Sequence, residues 1–133
     1  MKRFRSRLVF ILNAGLLILG IGQNAIYSQI KKVGNPAPEN APVLTVEISA
    51  KKFAFTPSRV EVPANTLVKI NLTSLDVEHG FEIESYSHSC VTFKPGKSGI
   101  VELYTDKKGE FPFSCCHFCG MGHGKMKGVL VVK

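Results

Sequence analysis

From Val43 onward, apolar and polar positions alternate: Leu44, Val46 and Ile48 are interleaved with Thr45, Glu47 and Ser49. A period of two describes a strand with one buried and one wet face. The same beat returns at Val60 and Val62, at Val68, Ile70 and Leu72, at Phe81 and Ile83, at Val101 and Leu103, and at Phe111 and Phe113. A final run, Val129 to Val132, closes the chain. Turn-forming stretches stand between these runs at 56–58, 63–65, 94–99 and 106–109, and no long amphipathic helix competes. Short strands at this spacing predict an all-β antiparallel sandwich or barrel over residues 43–133. Phe53, Phe55, Phe93, Phe111 and Phe113 are expected in its core. A domain of this size buries roughly 60 to 65% of its unfolded surface, so a bound metal would add a useful further tie.

The first thirty residues follow a different pattern. MKRFRSR carries four Lys and Arg, and no charge follows from Leu8 to Ile30. That is a basic region followed by a hydrophobic helix, a signal peptide or a membrane anchor, with the uncleaved anchor preferred because no clean small-x-small cleavage pattern follows. Either way the rest is exported, to the periplasm or the outer face of the cytoplasmic membrane. Residues 31–42, KKVGNPAPENAP, hold three prolines and read as a linker without helix or sheet.

The formal charge of +7 changes little, because outside the basic start thirteen Lys and Arg face ten Asp and Glu, a net of +3. There is no basic stripe interleaved with aromatics, so nucleic acid is not an expected partner. No nucleophile with a positioned base and no phosphate loop is visible, and catalysis by this chain alone is not expected.

Residues 114–128, SCCHFCGMGHGKMKG, concentrate the chemistry. Cys115, Cys119, His123 and Met126 follow one another at intervals of four, four and three. Thiolate, imidazole and thioether together favour copper over hard cations, which prefer oxygen. Glycines at 120, 122 and 124 let the loop curl round an ion. Cys119, His123 and Met126 supply part of a mononuclear blue-copper set, and His79, in SLDVEHGFEI, offers a second imidazole from a turn before a strand. The additional Cys115 would allow two thiolates to bridge two copper ions.

The stretch from Ser74 to Lys133 resembles the copper A domain of cytochrome c oxidase subunit II, of the compact single-anchor kind, and related small cupredoxin proteins. The resemblance rests on Cys115, Cys119-Gly120, His123 and Met126, and on the separate motif Asp76, Val77, His79, Gly80 and Phe81. It implies a Greek-key cupredoxin sandwich holding two coppers bridged by Cys115 and Cys119. His79 and His123 would each bind one ion, with Met126 as a weak axial ligand and the carbonyl of His117 serving the other ion. It also implies an electron-transport role, from cytochrome c or another small redox protein to oxidase subunit I, with the membrane engaged through residues 8–30.

Cys116 and His117 depart from that pattern, which normally has non-cysteine groups there. A third thiolate and imidazole beside the site leave two alternatives open: one copper instead of two, or a periplasmic copper carrier or metallochaperone. Zinc accepts similar ligands, but Met126 tells against it. A thiol-redox pair of Cys116 and Cys119 lacks the helix N-terminus that activates such thiols. His88 and Cys90 are read as a surface histidine and a half-buried cysteine, in preference to a Cys90–Cys116 disulfide. Met121 is assigned to rim packing where a redox partner could dock, and Asp76 or Glu78 could orient the His79 ring.

Overall fold

The computed structural model describes residues 29–133. The expected signal or anchor helix lies outside the described residues up to position 28. In chain order the strands are β1 (Gln29–Val33), β2 (Val43–Lys51), β3 (Ala54–Thr56), β4 (Arg59–Val62) and β5 (Leu67–Ser74). They continue with β6 (His79–Ile83), β7 (Ser87–Phe93), β8 (Gly99–Tyr104), β9 (Gly109–Ser114) and β10 (Lys127–Val132). Two five-stranded sheets result, with strand orders β1-β8-β5-β2-β3 and β4-β10-β9-β6-β7. The chain changes sheet between β3 and β4, β4 and β5, β5 and β6, β7 and β8, and β8 and β9. Among the described residues the only helical element is one 3-10 turn, His123–Lys125.

The alternation becomes the core because every second side chain of a strand leaves by the same face. Val68, Ile70 and Leu72 of β5, Val101 and Leu103 of β8, Ile48 of β2, Val60 and Val62 of β4, and Leu130 and Val132 of β10 are all buried between the sheets. Phe55, Phe81 and Phe113 meet at the centre, with ring centroids 5.7, 5.4 and 4.9 Å apart for the three pairs. Two of these contacts are edge-to-face, an arrangement the aromatic quadrupoles favour.

Three strands depart from the sequence pattern. The expected linker begins as structure: Lys31–Val33 belong to β1, which pairs in parallel with β8 from Gln29↔Gly99 to Val33↔Leu103. The prolines that break regular structure come only after this segment, at 36, 38 and 42. The short β3 and the strand β7 carry no clear apolar alternation, since SHSCVTF mixes small polar residues with Val91 and Phe93. Pairing with a neighbour stabilises such strands whatever their intrinsic propensity. Phe53, expected in the core, is instead 37% exposed just before β3.

The β9–β6 seam of the second sheet is thin. Its ladder contains a single partner pair, Glu82↔Ser114, whereas β9 and β10 pair from Lys127↔Ser114 to Val132↔Gly109. Packing of Phe113 against Phe81 joins the two strands across that seam. Phe113→Ala should therefore destabilise the domain by about 3 to 5 kcal/mol. Denaturant unfolding followed by circular dichroism measures this, and a loss below about 1 kcal/mol would deny the seam its dependence on the aromatic contact.

Candidate metal centre

His79 opens β6 and is fully buried. The turn before it is organised by Asp76, whose carboxylate accepts the Lys52 N–H at 2.8 Å, the Val77 N–H at 2.7 Å and the His79 Nε2–H at 2.7 Å. Ser74 adds a hydroxyl bond to the Val77 carbonyl. Burial alone would raise the Asp76 carboxyl, but the Lys52 amide, the His79 ring and the Val77 amide together bring it down to about 2. An ionised carboxylate can only accept, so Nε2 carries a proton and donates it to Asp76. Nδ1 has no hydrogen-bond partner, a state it shares only with Tyr86 Oη among the buried side-chain N and O atoms of the described residues.

The thiols occupy the space beside that ring. Cys115 follows β9 directly, and its N–H donates to the Met126 carbonyl at 3.0 Å, which closes the base of the 115–126 loop. Ligand atoms of His79, Cys115 and Cys119 all lie within 4.8 Å of one another, and all three residues are buried. The two sulfurs are 3.8 Å apart. Cys119 Sγ lies 3.8 Å from His123 Nδ1 and 3.9 Å from Met126 Sδ. The His117 carbonyl accepts from the Cys115 thiol at 3.1 Å. Unpaired buried imidazole nitrogen, two soft sulfurs, a second imidazole and a thioether form a donor set suited to copper.

Protons compete for those donors. Burial, with the neighbouring Cys115 thiol adding to it, pushes the Cys119 thiol up to about 11. In the metal-free chain at neutral pH Cys119 is therefore a neutral thiol, and a metal must displace its proton to bind.

Not every candidate residue joins the cluster. The His117 ring is half-exposed at the rim, with Nε2 4.0 Å from Glu78 Oε2, so only its carbonyl reaches the sulfurs. Met121 is 97% exposed and packs against nothing in the rim. Phe118 is 69% exposed, its ring centroid 5.9 Å from that of His123. Cys90 and Cys116 correct the expectation most, because they form a disulfide. Cys116 thus offers no thiolate to a metal. Four cysteines minus two ligand candidates leave a pair, a signal the sequence already contained. Phe53 was missed as part of the site. Its ring covers the ligand loop so closely that a Cβ at Gly122 would stand 2.3 Å from Phe53 Cδ2, and one at Gly120 3.0 Å from Cε1. Gly120 also has φ +137°, so glycine is required there twice over. Gly124 faces open space.

A family model described as a Cupredoxin-like domain matches residues 17–132. The chain belongs to this family. Two cytochrome c oxidase subunit 2 proteins of Thermus thermophilus are each 36% identical to this cupredoxin over 89 residues, 67% of its length. The match covers 65% of one relative and 52% of the other, so the chain spans less than two thirds of either. A chain of a heme-copper terminal oxidase dimer superposes with a TM-score of 0.60 at 28% identity, covering 74% of each chain. The periplasmic domain of subunit II of cytochrome oxidase from Bradyrhizobium japonicum gives a TM-score of 0.63 at 20% identity, covering 74% of this chain and 88% of that one, a likeness of fold. Family and donor set together support copper as the metal of this cupredoxin.

Two outcomes follow from the geometry. Asp76→Ala removes the acceptor that holds the His79 tautomer and should weaken copper binding ~10- to 100-fold, measured by competition with a chromogenic chelator. An unchanged affinity would show that the ring is held without the carboxylate. Copper uptake at neutral pH should also release the Cys119 proton, so apparent affinity should rise about tenfold per pH unit for that proton below its raised pKa. Calorimetry in buffers of different ionisation heat counts the release.

Proposed function

We propose that this cupredoxin is a binuclear copper A electron-transfer domain on the outer face of the cytoplasmic membrane. It would accept electrons from cytochrome c or another small redox protein and pass them to subunit I of a terminal oxidase. The observation that carries this reading is the pair of buried sulfurs 3.8 Å apart, with a ring nitrogen of His79 within 4.8 Å of both and His123 Nδ1 3.8 Å from Cys119. Cys115 and Cys119 would bridge, His79 and His123 would each hold one ion, and Met126 and the His117 carbonyl would complete the two coordination shells. When bound, the copper pair supplies a one-electron couple shared between two ions.

The chain's own contribution is to hold the donors still and dry. Asp76 orients His79, the sandwich buries Met126, and Phe53 lies over the glycines of the loop. Donors already in place change little between redox states, which keeps the cost of gaining or losing an electron low. Phe118 and Met121, exposed beside the site, offer apolar contact to a redox partner. The Cys90–Cys116 disulfide suits an oxidising compartment, in agreement with export, and the apolar segment from residue 8 to the start of β1 would serve as the membrane anchor.

A copper carrier is the second reading, favoured by the fully exposed Met121. It loses the support of Cys116, whose sulfur is bonded to Cys90. Metal analysis of reconstituted protein should find two coppers per chain, with a hyperfine pattern of one electron shared between two nuclei. Cys115→Ser should leave one copper and a localised pattern. If that variant keeps the wild-type spectrum and stoichiometry, the bridging role is wrong. Rapid transfer of copper to an acceptor apoprotein, with slow reduction by cytochrome c, would favour the carrier.

A further inference from the structure

His79 and the other candidate ligands are carried by different parts of the second sheet. Cys115, Cys119, His123 and Met126 belong to the loop between β9 and β10, and His79 belongs to β6. The two strands that must hold them together, β9 and β6, share the single ladder pair Glu82↔Ser114. Beyond Ser114, the hydrogen bond between the ligand loop and the start of β6 among the described residues is from the Gly80 N–H to the Cys115 sulfur at 3.5 Å. A sulfur acceptor at that length is a weak tie. The register needed to bring the His79 ring beside the sulfurs is thus poorly specified by the sheet itself.

The disulfide acts at this gap. Cys90 lies on β7, the neighbour of β6 on the side away from β9, and Cys116 lies immediately after Cys115. The bond therefore spans β6. Gly80 is where it crosses: a Cβ there would stand 2.6 Å from Cys116 Sγ, 2.8 Å from Cys90 Sγ and 2.7 Å from the His117 amide nitrogen. Gly80 follows His79 directly and pairs with Thr92 of β7, so the bridge rests on the backbone beside the buried imidazole. Its two anchors flank His79 and Cys115, one through the β6–β7 hairpin and the other through the adjacent peptide.

The geometry points to the Cys90–Cys116 disulfide as a positioning clamp for the metal centre: it presses the His79 strand and the Cys115 loop together across the backbone of Gly80, where the sheet ladder lapses. This rests on the ligand assignment given above. Cys90 and Cys116 do not bind the metal; they act through His79 and Cys115. The expected consequence is a site whose donors are gathered before metal arrives, so that opening the bridge loosens the site more than the sandwich.

The double variant Cys90→Ser/Cys116→Ser tests this in the full chain. In the metal-free protein, amide hydrogen exchange at residues 79–82 and 115–119 should quicken at least about tenfold, while the β2–β5 ladder stays protected. Copper loss to a chelator should become ~10- to 100-fold faster, and the thiolate-to-copper absorption bands should shift and broaden. Unchanged exchange, copper retention and spectrum would overturn the clamp. If the variant does not fold, the same measurements are made on the wild-type chain with the bridge opened by a phosphine. Unfolding of the whole sandwich there would also overturn the proposal, since the bond would then tie the fold and not the site. A wild-type chain that takes up no copper would sink the copper reading, and the metal-free exchange comparison would still judge the clamp.

Discussion

The contact between Phe81 and Phe113, with Phe55 against both, is what the metal centre hangs from. His79 stands two residues before Phe81 on β6, and Cys115 follows β9 two residues after Phe113. Side chains two apart on a strand share a face. Packing the two phenylalanines against each other in the core therefore turns the imidazole and the thiol inward at the same end of the sandwich. The aromatic cluster works as the floor of the site, and the ligands form the next layer above it. A thin ladder between β6 and β9 is tolerated because the side chains beneath supply the contact that backbone pairing does not.

That placement has an electrostatic cost which the metal can repay. Burial keeps Cys119 a neutral thiol and leaves His79 Nδ1 without a partner, and the second is unfavourable away from water. A soft cation would displace the thiol proton and accept the imidazole lone pair. Asp76 makes the exchange directional, since its ionised carboxylate holds the ring proton on the far nitrogen. Folding and copper uptake are consequently linked, and the folded chain discriminates by donor chemistry: two sulfurs and a thioether exclude oxygen-seeking cations.

The arrangement also separates rigid from accessible parts. Met126 and His79 are sealed, while the edge of the loop, with Phe118, Met121 and the His117 ring, faces outward. In the proposed electron-transfer role, a redox partner would meet this outward edge while the buried ligands stay in place. Phe53 extends the seal from the other sheet's side of the chain, and the absence of side chains at Gly120 and Gly122 is what lets it lie so close.

Much of this was legible in the linear chain. Alternation at Val68, Ile70 and Leu72 and at Val101 and Leu103 reports burial directly, because a strand's period of two leaves no other way to separate apolar from polar side chains. The spacing of Cys115, Cys119, His123 and Met126 carried the donor chemistry, since those ligands lie within one loop and their separation along the chain limits their separation in space. Contacts between distant segments had no such spacing signature, although the two cysteines left over hinted at one of them. That Lys31–Val33 pair with β8, that Phe53 leaves the core to cover Gly122, and that Cys90 reaches Cys116 all depend on which strands become neighbours. The amino-acid sequence by itself determined the layered β architecture and the kind of metal the loop would favour. Only the tertiary structure decided the proton's place on His79, the exclusion of the His117 ring and the bonding of the surplus cysteine, because each is set by what the chain brings alongside from far away.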